Sequence, residues 1–256
     1  MPQLMRTSNP ALRGAFGPGD VAYGAETMTI SGAVNKTGIL IILCVATAAW
    51  TWNRFFGALA SSPQDAMASV ALPAMVGGIG GFIVAMVTIF KKEWAGVTAP
   101  IYALLEGLVL GGVSAMMEMR FHGIAIQAVA LTFGTLVAML IAYRTGLIKV
   151  TDKLRLGIVA ATGGIAVFYF LQFILGFFGV HFTTINGATP IGIGFSLLVV
   201  VIAALNLVLD FDLIENGARM GAPKYMEWYS ACALMITLIW LYFEILRLLS
   251  KIRSRN

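Results

Sequence analysis

Apolar residues in this chain come in long unbroken blocks, not in alternating patterns. Seven blocks stand out: roughly Thr37 to Trp52, Met67 to Phe90, Gly96 to Met117, Gly123 to Tyr143, Leu156 to Val180, Ala188 to Leu209 and Trp228 to about Leu249. Each is near the ~20 residues an α-helix needs to cross the hydrocarbon of a bilayer. A membrane-barrel strand would alternate apolar and polar positions over about ten residues. These blocks are longer and apolar on every side, and a helix satisfies its own backbone hydrogen bonds in lipid. The expected fold is an all-α membrane protein, a bundle of seven transmembrane helices. Residues 1–35 are expected as a mobile N-terminal tail and residues 36–256 as the membrane domain. The connections are short, leaving no room for a separate soluble domain.

Composition agrees. Of 256 residues, 59% are hydrophobic and 11% charged, and the mean hydropathy is +0.88. A soluble domain carries about 25% charged residues, so this chain cannot coat a soluble globule. A cytosolic enzyme, a nucleic-acid module and a disordered protein are all excluded. The net charge of +5 therefore reads as Lys and Arg placed in loops. On the side shared with the N-terminus lie Lys36, Lys91, Lys92, Arg144, Lys149, Lys153, Arg155, Arg219 and Lys224. The other side has Arg54 and Arg120, so the positive-inside rule puts the N-terminus in the cytoplasm. Arg247, Lys251, Arg253 and Arg255 in the C-terminal tail run against that rule for seven full spans.

Small residues recur at helix-packing spacing in Gly77-x-x-x-Gly81 and Gly107-x-x-x-Gly111, which would let backbones approach closely. Pro73, Pro100 and Pro190 are expected within the first two turns of their helices, where a missing N–H costs least. Cys44 and Cys232 sit in apolar runs with no disulfide or metal spacing.

Charge is expensive in lipid, at about 2.5–3.5 kcal/mol for a central Asp or Lys on insertion scales, so ionisable residues within the runs carry the information. Glu106 lies at the midpoint of the third run, in Leu104-Leu105-Glu106-Gly107. It is a candidate cation or proton site, or a carboxyl hydrogen-bonded to a neighbouring helix. Asp210 and Asp212 close the sixth run. Two residues apart is about 200° of helix, so the two face nearly opposite ways and form no chelate by themselves. Glu244 lies deep in the seventh run. Either it pairs with Arg247 three residues on, or it faces the sixth helix and meets Asp212. Two carboxyls in one dry pocket would share a proton and act as a proton sensor. Deprotonated, Asp212 and Glu244 would offer hard oxygen ligands suited to Ca²⁺.

The stretch Trp240-Leu241-Tyr242-Phe243-Glu244-Ile245-Leu246-Arg247-Leu248-Leu249, together with Leu209-Asp210-Phe211-Asp212-Leu213-Ile214, resembles the Bax inhibitor-1 family of seven-helix membrane proteins (transmembrane Bax inhibitor motif proteins), most of all a bacterial branch. The resemblance implies a central C-terminal helix wrapped by the other six, and a pH-sensitive Ca²⁺ leak gated by two acids on the sixth and last helices. By motif, Asp212 matches the first acid in its aromatic-Asp-Leu setting, and Glu244 the second in its Leu-Tyr-apolar-acid setting. The implied location is a bacterial inner membrane.

These readings name an ion- and proton-sensing set of Asp212, Glu244, Asp210 and Glu106, with Arg247 as a pairing residue. The expected partners are the lipid bilayer, Ca²⁺ and protons, with Ca²⁺ as the transported ion and no resident cofactor. A proton-coupled transporter using the same acids ranks lower, because no internal repeat is visible. A non-conducting regulator that binds another membrane protein is the second alternative. No enzyme is expected. The only Gly-x-Gly-Asp string, Gly17-Pro18-Gly19-Asp20, lies in the polar tail, and the two histidines, His122 and His181, fall near run ends.

Overall fold

The computed structural model describes residues 27–179 and 182–255. The Gly17–Asp20 string, His181 and most of the expected N-terminal tail fall outside these residues. Among the described residues the chain is all-helical apart from an isolated bridge between Thr27 and Pro223. Eight α-helices follow one another: α1 (Ile30–Leu59), α2 (Pro63–Phe90), α3 (Ala95–Arg120), α4 (Ile124–Arg144), α5 (Asp152–Phe177), the short α6 (Thr183–Asn186), α7 (Pro190–Arg219) and α8 (Met226–Arg255). Seven of them are long and apolar enough to cross a membrane. The protein is a multi-pass membrane protein, as the apolar blocks require.

The helices outrun the blocks because polar caps, not the ends of apolar runs, set their starts. Thr29 accepts a hydrogen bond from the Gly32 N–H at 2.9 Å and starts α1 at Ile30, seven residues before the block begins. Ser62 caps α2 through the Asp65 N–H at 3.1 Å, with Pro63 at the first helical position. That early start places Pro73 inside α2 and corrects the expectation of a proline in the first two turns. Thr151 caps α5 through the Leu154 N–H at 3.2 Å. These side chains satisfy N–H groups that a helix start leaves without partners.

The chain divides into two compact units. The first comprises residues up to Val113 together with Leu213–Met235. Here the predicted glycines do what their spacing suggests. A Cβ on Gly107 would run into the Thr47 hydroxyl and the Cys44 carbonyl, and one on Gly111 into the Ala48 backbone. Gly77 lies equally close to the Leu105 carbonyl. Backbone contact of α3 with α1 and α2 therefore depends on these positions having no side chain. In the same unit Glu227, fully buried, receives the Thr29 N–H and hydroxyl, both at 2.9 Å, together with the Lys36 ammonium. Lys224 stands 3.4 Å away. This acid ties the start of α1 to the start of α8. A backbone bond from the Met28 N–H to the Ala222 carbonyl at 2.7 Å adds to the tie.

The second unit comprises Ser114–Asp212 and Ile236–Asn256. Its α3–α4 corner is closed by Glu118, which accepts from the Gly123 and Ala125 N–H groups. Of the seven spanning helices α8 is the most buried: 61% of its most apolar window is covered by protein, against 11% for α5.

Candidate functional site: a polar lane on three helices

The second unit carries a line of polar side chains on α5, α7 and α8. On α8 the positions are Thr237, Glu244 and Lys251, spaced by seven residues. Two helical turns bring each nearly back to the same face. At ~1.5 Å rise per residue the fourteen-residue interval spans roughly 21 Å, about two-thirds of the hydrocarbon thickness. On α5 the spacing repeats as Arg155, Thr162 and Tyr169. On α7 Asn206 and Asp210 lie one turn apart, with Ser196 further up the helix.

Glu244 occupies the middle of the lane and is only 2% exposed. The Tyr169 hydroxyl reaches both of its carboxylate oxygens, at 3.1 and 3.2 Å. The Arg247 guanidinium donates to the same oxygens at 3.2 and 3.3 Å and to the Tyr169 oxygen at 2.5 Å. The expected Glu244–Arg247 pair is present, with a tyrosine between its members that the sequence reading did not anticipate. Phe195 packs edge-on against Tyr169 at 6.5 Å, and Phe168 lies 5.2 Å from Phe195. These rings wall the polar group with apolar surface.

Asp212 does not meet Glu244. Its carboxylate is taken by Arg155 at 2.5 Å, and the two acids share no hydrogen bond or ion pair. Level and phase both separate them: Asp212 bonds Arg155 and Glu244 bonds Tyr169, fourteen residues apart on α5, and of the divergent pair Asp210 and Asp212 it is Asp210 that turns to α8, where it meets Thr237, two turns before Glu244. The Asp210 carboxyl shares a hydrogen bond with Thr237, while its Oδ2 is buried without any hydrogen-bond partner. Among the described residues no cation pairs with it, and no three His, Cys, Asp or Glu side chains converge to hold a metal ion. The Asp212–Glu244 ligand pair expected for Ca²⁺ is thus not assembled in this state. Alongside, the Asn206 amide donates to the Thr162 hydroxyl at 2.8 Å.

At its other end the lane closes on Lys251, itself 6% exposed. Its ammonium donates to the Ile185 carbonyl at 2.7 Å, the Gly192 carbonyl at 3.1 Å and the Ser196 hydroxyl at 2.8 Å. Arg253, two residues on, bonds the His122 carbonyl at 2.7 Å and Gln127 at 2.8 Å. Arg247, Lys251 and Arg253 are therefore spent on partners within the protein.

Glu106 belongs to the first unit and to none of this. It shares a hydrogen bond with Tyr102, one turn earlier on α3. Its carboxyl lies over Gly81, where a Cβ would come within 2.9 Å of Oε1. The second glycine of the Gly77-x-x-x-Gly81 pair thus makes room for a carboxyl as well as for a helix.

Sequence reasoning missed Arg155, Tyr169 and Lys251. The signal that finds them is the seven-residue spacing of polar positions, which runs through the apolar blocks and on into their margins. No curated protein and no solved structure matches the chain. A family model described as Bax inhibitor 1 like matches residues 9–254, nearly the full length. Together with the seven spans and the buried last helix, that match shows that the chain belongs to the Bax inhibitor 1 like family.

Proposed function

We propose that this protein is a pH-responsive leak for Ca²⁺ across a membrane, and that its proton-responsive acid is Asp210, with Glu244 and Asp212 as latches. The observation that carries the reading is the lane itself: carboxyl, phenol, amide and hydroxyl groups at one- and two-turn intervals through a segment otherwise made of hydrocarbon. Polar groups at that depth are costly and commonly mark ion or proton pathways.

Asp210 protonated needs no cation and rests against Thr237. Asp210 ionised holds a charge with no cation seated on it, and a state that admits water or a hard cation beside it is then favoured. Oxygen ligands of this kind suit Ca²⁺. Arg155 on Asp212 ties α5 to α7, and Tyr169 on Glu244 and Arg247 ties α5 to α8, in the closed state; leak rises as protons leave. By the distribution of loop Lys and Arg the N-terminus lies in the cytoplasm. The membrane is a bacterial plasma membrane, in keeping with the branch the motifs resemble.

The test is Ca²⁺ flux into proteoliposomes followed from mildly acidic to mildly alkaline buffer. Wild-type protein is expected to leak more as pH rises, and Asp210→Asn to lose that dependence. Absence of flux from the wild type at every pH would overturn the leak and leave a non-conducting regulator of another membrane protein.

A further inference from the structure

The Lys251 ammonium sits among three neutral oxygens and no carboxylate. Two are main-chain carbonyls, Ile185 and Gly192, and one is the hydroxyl of Ser196, itself 1% exposed. The two carbonyls come from a turn that Thr189 holds closed. The Thr189 hydroxyl donates to the Thr184 carbonyl at 2.5 Å and accepts from the Gly192 N–H at 3.0 Å, folding α6 back onto the start of α7. Gly192 lets the carbonyls crowd together: a Cβ there would lie 2.8 Å from the Ile185 oxygen and 3.0 Å from that of Thr184.

We propose that this oxygen cage is a binding site for a large monovalent cation of the potassium class, in competition with the Lys251 ammonium that fills it as a tethered occupant. Neutral donors match a single charge, and rings of carbonyls replace the hydration shell of such ions in selectivity filters. The distances of 2.7–3.1 Å are longer than the roughly 2.3–2.6 Å of Ca²⁺–oxygen contacts and the ~2.0–2.1 Å of Mg²⁺, so a divalent ion would have to contract the cage. The site is separate from the acids invoked for the leak and stands whether or not the protein conducts Ca²⁺.

The test uses the full chain in lipid nanodiscs, with Lys251→Ala to vacate the cage. Thermal unfolding is followed as KCl replaces choline chloride at constant ionic strength. A ligand that binds the folded state alone raises the midpoint as its concentration rises. Lys251→Ala is expected to gain several degrees in K⁺, less in Na⁺ and least in Ca²⁺, with methylammonium substituting for K⁺. The wild type should respond weakly, and adding Ser196→Ala should cut the response of the variant severalfold. Equal midpoints in K⁺ and choline would overturn the proposal. Should Lys251→Ala yield folded protein only when K⁺ or methylammonium is present, that recovery supports it. If it folds under neither condition, Lys251→Met, which keeps the apolar stem, takes its place, and no K⁺ response from it overturns the proposal.

Discussion

The Tyr169 hydroxyl lies between the charged groups of Glu244 and Arg247, within 3.1 Å of the carboxylate and 2.5 Å of the guanidinium. The phenol comes from α5 and both charges from α8. A single hydroxyl therefore links the two helices at the centre of the lane, and the Arg247 guanidinium also stacks 4.9 Å from the centre of the same ring.

Tyr169→Phe keeps the ring and removes the link. A hydrogen bond to a charged group contributes about 1.5–3 kcal/mol, so the variant should lose stability in that range. Glu244→Gln in the Tyr169→Phe background should cost less than Glu244→Gln alone, because residues in one network are not additive. Unfolding by dodecyl sulfate in mixed micelles, read by circular dichroism, measures both.

Asp210→Asn should leave stability unchanged or raise it near neutral pH. It removes an acid whose buried Oδ2 has no hydrogen-bond partner and keeps a group able to bond Thr237. Replacing a badly satisfied polar group is seldom costly, whereas breaking a satisfied pair is. A loss above about 2 kcal/mol in the same unfolding assay would show that the charge is stabilised by something other than Thr237.

Glu227 should behave in the opposite way. It is fully buried and satisfied by Thr29, Lys36 and Lys224. Losing the carboxylate leaves the Thr29 donors and the part-buried Lys36 ammonium without their acceptor, and breaking a satisfied buried ion pair typically costs about 3–5 kcal/mol, less here because Lys224 is exposed. Glu227→Gln should therefore destabilise strongly and make the peptide bonds near Thr29 sensitive to protease in nanodiscs. Thr29→Val, which removes one of several donors, should cost less.

The glycines separate by position. Gly107→Ala and Gly111→Ala place a methyl against the backbone of α1, and overpacking of this kind costs about 1–3 kcal/mol. Gly163→Ala meets open space and should be neutral or stabilising by up to about 1 kcal/mol, since alanine is the better helix former. Parallel thermal melts of the three variants check the contrast.

The spanning helices were legible from length and apolarity, because a lipid-embedded helix has few other ways to be written. Their starts were less so, since Thr29, Ser62 and Thr151 lie outside the apolar blocks and act through side-chain caps. The four-residue α6 is too short to show a period. Glu244 and its pairing with Arg247 could be read from a charge deep in a block. The choice between Asp210 and Asp212 could not: spacing shows that they diverge, but which one faces α8 depends on the rotation of α7 set by tertiary packing. Arg155 and Lys251 look like loop and tail charges in the sequence because they sit at the margins of their blocks. The Thr151 cap starts α5 before Arg155, and α8 continues past its apolar block to take in Lys251.

The face bearing Thr162, Thr237 and Glu244 is the proposed route of the ion. Its most direct test is thiosulfonate block of Ca²⁺ flux in proteoliposomes, in a Cys44→Ala, Cys232→Ala background. Thr162→Cys and Thr237→Cys are expected to lose flux on reaction with a cationic thiosulfonate, and Ca²⁺ should slow the loss. Phe170→Cys, on the exposed side of α5, should keep its flux. Unimpaired flux after verified modification of both lane cysteines, or block only at Phe170→Cys, would contradict the account.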